Sequence, residues 1–264
     1  METIRMEPKL SKLPSEINWR DWIERWDKMQ EKYLVRRAER IQLLATLVRE
    51  TVKPVRRVLD LGCGTGSTMQ PFLKVFPKAK IYGADFDPTL LPLAQERLRS
   101  FGARANLIFA DLRANDWQKQ LPGKFDAVIS ATALHWLKKT EIKKLYGRIS
   151  QLLRPGGIFL NADHVASENS RVQTFWKKHR DEMRRAEGKT GEDWESFWKS
   201  YLRVLDLPGR QKKNERVLGG WNGGSEEGLP LEWQLNELKK NGFVHADCFW
   251  RCDCDAIYGG FRKC

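Results

Sequence analysis

Residues Val58–Gly66 read Val-Leu-Asp-Leu-Gly-Cys-Gly-Thr-Gly, an apolar run around one acid that leads into three alternating glycines. The apolar residues predict a buried parallel strand near 56–61. Gly62, Gly64 and Gly66 permit a tight turn in which the backbone closely approaches a ligand. Dinucleotide-binding folds use a related turn with the spacing Gly-x-Gly-x-x-Gly, so this loop alone leaves the ligand undecided.

Strand and helix patterns alternate outward from this turn. Helices are predicted at 66–75, 88–100 and 138–152, and further strands at 79–84, 105–110, 125–130 and 157–163. Parallel strands need crossover connections, which helices supply, so this order predicts a parallel sheet wrapped by helices. The chain then returns to helix over 230–240 and to strands over 243–250 and 255–261.

Aromatic residues mark two segments outside this alternation. Residues 19–52 predict helix, with Trp19, Trp22 and Trp26 at helical spacing. Segment 165–229 is rich in charged and aromatic residues and predicts a helical insertion that ends in a glycine-rich connector. Both segments can be interpreted as helices packed on the sheet or as a lid over a ligand. We expect a lid, because additions beyond the carboxyl ends of strands often carry specificity.

The length of 264 residues predicts one α/β domain with additions rather than two full domains. We divide this domain into four parts. They are an N-terminal helical cap at 1–52, a ligand-binding core at 53–164, a helical lid insertion at 165–229, and the end of the core sheet at 230–264.

The formal net charge of +13 favours an anionic partner but does not choose between nucleic acid and an acidic metabolite. No apolar stretch approaches the roughly 20 residues that span a bilayer, so no membrane segment is predicted. The N-terminus lacks the apolar stretch of a secretory signal, and we expect a cytoplasmic location.

The five cysteines do not suggest a disulfide framework, because their number is odd and Cys63 lies inside the glycine turn. Cys248, Cys252 and Cys254 cluster near the C-terminus. Their spacing is not a standard zinc pattern and the local sequence alternates like a strand. We therefore expect buried or half-exposed thiols and no metal site.

Acids stand at the ends of three successive strands. Asp60 ends the first, Asp85 follows Ile81–Ala84, and Asp111 follows Leu107–Ala110. The carboxyl ends of parallel strands share one sheet edge, where an acid commonly holds ribose hydroxyls. One such acid alone is typical of a turn or a helix cap. Three of them beside a glycine turn predict a site for a nucleoside that carries a cationic group.

Five motifs make the chain resemble the class I S-adenosylmethionine-dependent methyltransferases over about 55–163. They are VLDLGCGTG at 58–66, YGADFD at 82–87, FADL at 109–112, FDAVIS at 125–130 and LLRPGG at 152–157. The resemblance implies a Rossmann-like, mostly parallel sheet of seven strands, with helices on both faces and an antiparallel last strand. It also implies S-adenosylmethionine as cofactor and S-adenosylhomocysteine as a product.

The same resemblance implies which residues contact the cofactor. In chain order they are Tyr33, Arg37, Asp60, Gly62, Cys63, Gly64, Gly66, Asp85, Phe86, Asp111, Leu112 and Ala131. Asp85 is implied to hold the ribose hydroxyls and Phe86 to flank the adenine. Tyr33 and Arg37 are implied to reach the cofactor carboxylate.

The segment Ala133–Trp136 reads Ala-Leu-His-Trp and is similar to small-molecule members of the family, such as those acting on trans-aconitate. His135 is our first choice for the catalytic group. Its ring can take a proton from a hydroxyl or amine, or bind a carboxylate when protonated. A second catalytic pair is expected at Asp163 and His164, at the end of the fifth strand. Acceptor contacts are predicted for three further residues, namely Trp136, Trp176 and His179.

The sequence patterns that several other classes of methyltransferase require are absent from this chain. The amino-methylating pattern Asp/Asn-Pro-Pro-Tyr/Phe, the paired glutamates of arginine methyltransferases and a Pro-Cys nucleophile are all absent. Ala131 stands where metal-dependent catechol-type enzymes place an aspartate, which disfavours magnesium. Oxygen, carboxylate or simple amine acceptors remain.

Three functional hypotheses remain open. The leading one is methyl transfer to a small molecule, through oxygen or a carboxylate, and the basic composition is compatible with an anionic acceptor. The second is an RNA-modifying enzyme, favoured by charge and aromatic content but without a recognisable RNA-binding module. The third is a regulator that binds the cofactor without turnover.

Overall fold

One mixed sheet organises the chain in this computed structural model, which describes residues 17–205 and 224–263. Its strands are β1 (Arg57–Leu61), β2 (Lys80–Asp85), β3 (Ala105–Phe109), β4 (Phe125–Ala131), β5 (Leu153–Ala166), β6 (Leu229–Pro230), β7 (Phe243–Cys252) and β8 (Asp255–Arg262). Their spatial order is β3-β2-β1-β4-β5-β8-β7, and the short β6 pairs with β5 outside this path. The first five strands are parallel, whereas β8 is antiparallel to both β5 and β7. The predicted seven-stranded sheet with an antiparallel last strand is confirmed, and β6 adds to it.

Helices cover both faces of this sheet. They are α1 (Trp19–Tyr33), α2 (Arg37–Thr51), α3 (Met69–Val75), α4 (Leu91–Leu98), α5 (Lys139–Leu152), α6 (Ser170–Glu187), α7 (Trp194–Val204) and α8 (Leu231–Lys240). Leu160 and Ala162 of β5 share one apolar core with α2, α3 and α4. Phe159 and Val165 share the opposite core with α5 and α8, as the alternation of a strand requires. Within the described ranges, no helix is long and apolar enough to cross a membrane.

Several element boundaries differ from the prediction, and α3, for example, begins at Met69 instead of residue 66. The predicted helix over 19–52 divides into α1 and α2, because Arg36 adopts a left-handed φ of 53°. The helix predicted from Pro88 begins at Leu91, since the Asp87 carboxylate accepts the N–H of Thr89 at 2.8 Å and holds the preceding residues in a turn. Strand β5 is longer than predicted and runs from Leu153 to Ala166.

An aromatic cluster joins the insertion to the N-terminal helices. It comprises Trp22 and Trp26 of α1 with Trp194, Phe197, Trp198 and Tyr201 of α7, whose neighbouring ring centroids lie 5.0 to 6.1 Å apart. Arg25 of α1 also forms a bidentate ion pair with Glu192, with Nε 2.8 Å from Oε1 and Nη2 2.9 Å from Oε2. These helices therefore pack on each other, while closure as a lid stays a prediction. The glycine-rich connector at 219–224 lies outside the described residues, apart from Gly224.

Candidate functional site

A cavity of about 850 Å³ lies at the carboxyl ends of the parallel strands. The segments that follow β1, β2, β3 and β4 form one side of it, and residues of α1, α2, α6 and α7 form the other. Ligands of open α/β sheets bind at this edge, because the loops that leave the strands converge there. The fold thus brings the glycine turn, two of the three strand-end acids and the three tryptophans Trp26, Trp194 and Trp198 of the aromatic cluster to one site.

The glycine turn is built on backbone geometry that only glycine adopts easily. Gly62, Gly64 and Gly66 have φ values of 69°, 50° and 72°, in the left-handed region. A Cβ at position 62 would also collide with the Cβ of Ala133. Gly62, Cys63 and Gly64 line the cavity. Gly66 does not, and a Cβ there would contact Leu98 instead.

Asp85 ends β2 at the cavity wall and is buried. Its Oδ2 accepts the N–H of Gly64 at 2.7 Å, and its Oδ1 accepts the N–H of Asp87 at 2.8 Å. A carboxylate oxygen has a second lone pair, so both oxygens can still accept from a ligand. Burial raises the pKa of Asp85 to about 6, against the opposing effect of these backbone hydrogen bonds. The group suits two neighbouring hydroxyl donors.

Asp60 occupies a different place from the other acids. It lies within β1, almost fully buried, and does not line the cavity. Neither carboxylate oxygen has a hydrogen-bond partner among the described residues. Burial, followed by the charge of Asp85, raises the pKa of Asp60 well above its usual range. The protonated form avoids the cost of a buried charge, and the structure does not bring Asp60 to the cavity.

The next part of the cavity wall contains Phe86, which follows β2, and Asp111 and Leu112, which follow β3. The Asp111 carboxylate accepts two bonds from the Arg113 side chain, from Nε at 2.9 Å and Nη2 at 2.8 Å. The same guanidinium carbon lies 5.5 Å from the centroid of the Phe86 ring. Arg113 therefore connects two of the predicted residues and was missed by the sequence analysis.

Tyr33 and Arg37 reach the cavity from the junction between α1 and α2. The Tyr33 hydroxyl accepts the backbone N–H of Trp194 at 3.3 Å, which links it to α7. The Arg37 side chain is 12% exposed, and its Nη2 lies 3.5 Å from Asp27. Burial lowers the pKa of Arg37, so an anionic ligand would be a favourable additional partner.

His135 lies in a short 3₁₀ turn directly after β4, next to Ala131 and Trp136 at the cavity wall. Its ring Nδ1 is 2.6 Å from Oδ1 of Asp163, and its backbone N–H donates to Oδ2 at 3.0 Å. A carboxylate partner fixes the proton on Nδ1 and leaves Nε2 for another partner. Burial alone would raise the pKa of Asp163, but the charge and hydrogen bond of His135 lower it to about 2.

A second histidine–carboxylate pair faces the first. His164 Nδ1 is 2.8 Å from Oδ1 of Asp255, and the same oxygen is 3.2 Å from Nη1 of Arg40. The ring centroids of His164 and His135 are 4.9 Å apart. Burial lowers the pKa of His164 in spite of the opposing effect of Asp255. Both histidines line the cavity, whereas Asp163 lies behind them.

Five arginines among the described residues line the cavity, and three of them, Arg40, Arg180 and Arg184, interact with Asp255; we call these three the arginine cluster. Arg40 is 3% exposed. One buried N–H nitrogen of each has no hydrogen-bond partner within the described residues: Nη2 of Arg40 and Nε of Arg180 and Arg184. Burial, reinforced by Arg180, lowers the pKa of Arg184. This cluster was not among the residues predicted from the sequence, although the spacing of Arg180 and Arg184 by four residues places them on one helix face.

Trp176 and His179, predicted to contact the acceptor, lie outside the cavity. The Trp176 ring lies 4.6 Å from the guanidinium carbon of Arg251, and His179 Nδ1 is 2.5 Å from Asp253. These partners belong to β7 and the turn after it. Trp176 lies one turn before Arg180 on the same side of α6, so its position along the helix, and not its face, places it outside the cavity and against Arg251.

Cysteines do not form a metal centre among the residues that the structure describes. Cys63, Cys248, Cys252 and Cys254 are free thiols, and burial raises the pKa of each. Within residues 17–205 and 224–263, no group of three or more His, Cys, Asp or Glu side chains is placed to hold a metal ion.

Comparisons with known proteins converge on one domain type. Residues 58–157 match a family model described as a methyltransferase domain. A trans-aconitate 2-methyltransferase from Deinococcus radiodurans is 35% identical over 121 residues, which are 43% of this chain and 42% of that relative. A tRNA N(3)-cytidine methyltransferase from Bos taurus is 31% identical over 111 residues, which are 41% of this chain and 29% of that relative.

A solved structure extends the similarity over most of the fold. An O-methyltransferase family protein from Burkholderia thailandensis superposes with a TM-score of 0.55 at 18% identity, covering 84% of this chain and 56% of that chain. The two sequence relatives differ in the acceptors that their names state, and this chain spans less than half the length of either. The range that matches the family model contains the glycine turn, Asp85, Asp111 and His135.

Proposed function

Because residues 58–157 form a class I S-adenosylmethionine-dependent methyltransferase domain, we propose that this protein transfers a methyl group from S-adenosylmethionine to an oxygen of a small anionic molecule. The arginine cluster, whose Arg40 shares Asp255 with His164, is the observation that carries this choice of acceptor. Three parts of the site support the proposal. The first is the cofactor wall, formed by Gly62–Gly64, Asp85, Phe86 and Leu112. The others are the histidine pair, His135 and His164, and the arginine cluster.

The residues of the cofactor wall fit S-adenosylmethionine. Asp85 is buried, faces the cavity and has free acceptor capacity for the two ribose hydroxyls. The backbone at Gly62–Gly64 would hold the methionine portion, and Arg37 its carboxylate. Phe86 and Leu112 would enclose the adenine. When bound, the cofactor supplies a methyl group activated by a positively charged sulfur.

Cofactor affinity should depend on pH through Asp85, whose pKa is raised to about 6. Below that pH the carboxyl carries a proton, which it must lose before both oxygens can accept hydroxyl hydrogens. We expect the affinity for S-adenosylhomocysteine to fall about tenfold between pH ~7.5 and pH ~5, since each unit below the pKa costs about a factor of ten. Calorimetry at the two pH values measures this, and an Asp85→Asn protein should bind weakly without that change. Equal wild-type affinities at both pH values would contradict the assignment.

His135 is the group that we propose to contact the reacting oxygen. Methyl displacement needs alignment, exclusion of water and, for a hydroxyl acceptor, removal of a proton. With its Nδ1 proton held by Asp163, His135 can accept that proton at Nε2. When the ring is protonated, the same nitrogen donates to a carboxylate oxygen instead. Trp136, whose ring centroid is 4.7 Å from that of His135, forms the adjoining wall.

The arginine cluster supports an anionic acceptor because its charge is not fully neutralised by the described residues. Asp255 already accepts from both Arg40 and His164, and Asp163 accepts from His135. Asp181, which lies 3.3 Å from Arg184, is half-exposed. A buried donor without a partner is costly, and a carboxylate that accepts the remaining N–H groups would remove that cost.

The size of the site and its aromatic wall support a small acceptor rather than RNA. The RNA hypothesis draws on the net charge of +13 and on the tRNA-methylating relative. Trp194 and Trp198 of α7 line the cavity and pack on α1, so aromatic side chains cover this side of it. A volume of about 850 Å³ falls within the range of small-molecule sites, about 300 to 1,000 Å³.

Substitutions in the arginine cluster test the proposal. Arg180→Leu and Arg184→Leu proteins should each show a KM for the acceptor about tenfold or more above wild type, because each loses a charge-assisted hydrogen bond. Arg185→Leu is the matched control, since Arg185 is exposed on the same helix. Initial rates are measured with labelled S-adenosylmethionine and a panel of di- and tricarboxylic acids that includes trans-aconitate, together with the uncharged amides of the same acids. Transfer to a panel acid with a KM unchanged in both variants would refute the role of the cluster, and transfer to an uncharged acceptor alone would refute the anionic acceptor.

A further inference from the structure

We propose that Asn161 and Tyr258 are positioning residues for His135. They act through Asp163, whose ionised and oriented carboxylate holds the His135 ring for the reaction. The inference rests on the function proposed above, and it adds two buried residues that do not line the cavity. Neither residue was singled out by the sequence analysis.

The sheet places these residues side by side. Asn161 of β5 lies directly opposite Tyr258 of β8 in the antiparallel register. Asn161 and Asp163 are two residues apart on one strand, so their side chains share a face. The Asn161 Nδ2 donates to Tyr258 Oη at 2.8 Å and to Asp163 Oδ2 at 3.4 Å. One amide group thus links a phenol on the neighbouring strand to the carboxylate behind His135.

Asp163 is surrounded by donors. Its oxygens face the backbone N–H of His135 at 3.0 Å, the Nδ1 of that ring at 2.6 Å, and the backbone N–H of His164 at 2.9 Å. Asn161 supplies the fourth donor. Such a set stabilises the charged form of a buried carboxylate and restricts its orientation. The orientation in turn decides where the His135 ring points.

Tyr146 and Gln234 determine the direction of the hydrogen bonds that lead to Asn161. The Tyr146 hydroxyl donates to Oε1 of Gln234, so its oxygen is left to accept. Tyr258 Oη lies 3.4 Å from Tyr146 Oη and can give its own proton there. Burial raises the pKa of both phenols, which therefore keep their protons. Tyr258 is then an acceptor towards Asn161.

This direction selects one orientation of the Asn161 amide. If Tyr258 donated to Asn161 instead, the amide oxygen would replace the NH₂ group and would lie against the Asp163 carboxylate, where two acceptors repel. The selected orientation has a cost, because Oδ1 of Asn161 is buried with no partner among the described residues. An apolar side chain would avoid that cost within this core. The hydrogen bond that Asn161 donates to Asp163 explains why an asparagine occupies this position in spite of that cost.

Two substitutions, with one control, test this inference. Tyr258→Phe removes the acceptor of Asn161, and Asn161→Leu removes the donor to Asp163. Tyr82→Phe is the control, because Tyr82 is a partly buried tyrosine of β2 that packs edge-on against Phe125, away from this chain of hydrogen bonds. The first readout is ¹⁵N NMR of the histidine rings of the protein without ligand, which reports the nitrogen that carries the proton in each neutral ring.

We expect His135 of the wild type and of Tyr82→Phe to carry its proton on Nδ1, and both test variants to lose part of that population to the Nε2 form. The rate of methyl transfer to the acceptor found in the carboxylic acid panel should fall about tenfold in both, with unchanged affinity for S-adenosylhomocysteine. A wild-type proton on Nε2, or an unchanged tautomer in both variants, would overturn the inference. Thermal unfolding checks that each variant is folded. The NMR readout needs no methyl transfer, so failure of the proposed function is separately visible as wild-type protein without turnover.

Discussion

An Asp85→Ala protein will bind S-adenosylhomocysteine about 100-fold more weakly than the wild type near pH 7.5. The Asp85 carboxylate is buried at the cavity wall and is proposed to accept two ribose hydroxyls. Hydrogen bonds to a charged group contribute about 1.5 to 3 kcal/mol each, and about 3 kcal/mol in total corresponds to roughly 100-fold. The substitution also removes the acceptor of the Gly64 N–H, so the glycine turn loses one of its fixed contacts.

Calorimetric titration measures this affinity directly. Asp116→Ala serves as the control, because Asp116 is an exposed aspartate outside the cavity and should leave binding unchanged. Thermal unfolding shows whether the Asp85→Ala protein is folded. Wild-type affinity in a folded Asp85→Ala protein would rule out the proposed ribose contact, and with it the assignment of this wall to the cofactor.

A His135→Ala protein will lose about 10²- to 10⁴-fold in the rate of methyl transfer while it keeps its affinity for S-adenosylhomocysteine. General acid–base groups contribute rate factors of this size, and His135 is the cavity-lining group whose Nδ1 is held by Asp163. Its contacts lie at the end of β4 and not on the ribose side, so cofactor binding should be spared.

Single-turnover rates with labelled S-adenosylmethionine measure this effect. His179→Ala is the matched control, since His179 pairs with Asp253 outside the cavity. We expect the control to transfer at close to the wild-type rate. Full activity in His135→Ala would contradict a role for this histidine in the mechanism. His164 of β5, which pairs with Asp255 of β8, would then be the next candidate.

The cofactor wall could be predicted from sequence because its determinants are local. Alternating glycines require positive φ wherever they form such a turn, and the observed φ values at 62, 64 and 66 are all positive. Strand ends meet at one sheet edge in any parallel fold, which brought Asp85 and Asp111 to the cavity. Asp60 differs because Leu61 follows it in β1, so it lies one residue inside the end of its strand and is buried.

The arrangement of the residues at the proposed acceptor side, such as His164, Asp255 and Arg180, could not be predicted, because tertiary packing brings them together. Asp255 meets His164 only through the pairing of β5 with β8, and their positions in the chain give no sign of that contact. Trp176 and Arg180 lie one turn apart on the same side of α6, and only the docking of this helix decides which of the two turns reaches the cavity. Arg40 resembles a solvated helix residue in sequence, yet it is 3% exposed in the structure.

The most direct test of the account follows the methyl group itself. The protein is incubated with S-adenosylmethionine carrying a labelled methyl group and with a cell extract that is then separated into small molecules, RNA and protein. We predict label in the anionic small-molecule fraction, and none when the extract is replaced by buffer. Label confined to RNA or to protein, or no transfer into any fraction, would contradict the proposal that this protein methylates a small anionic acceptor.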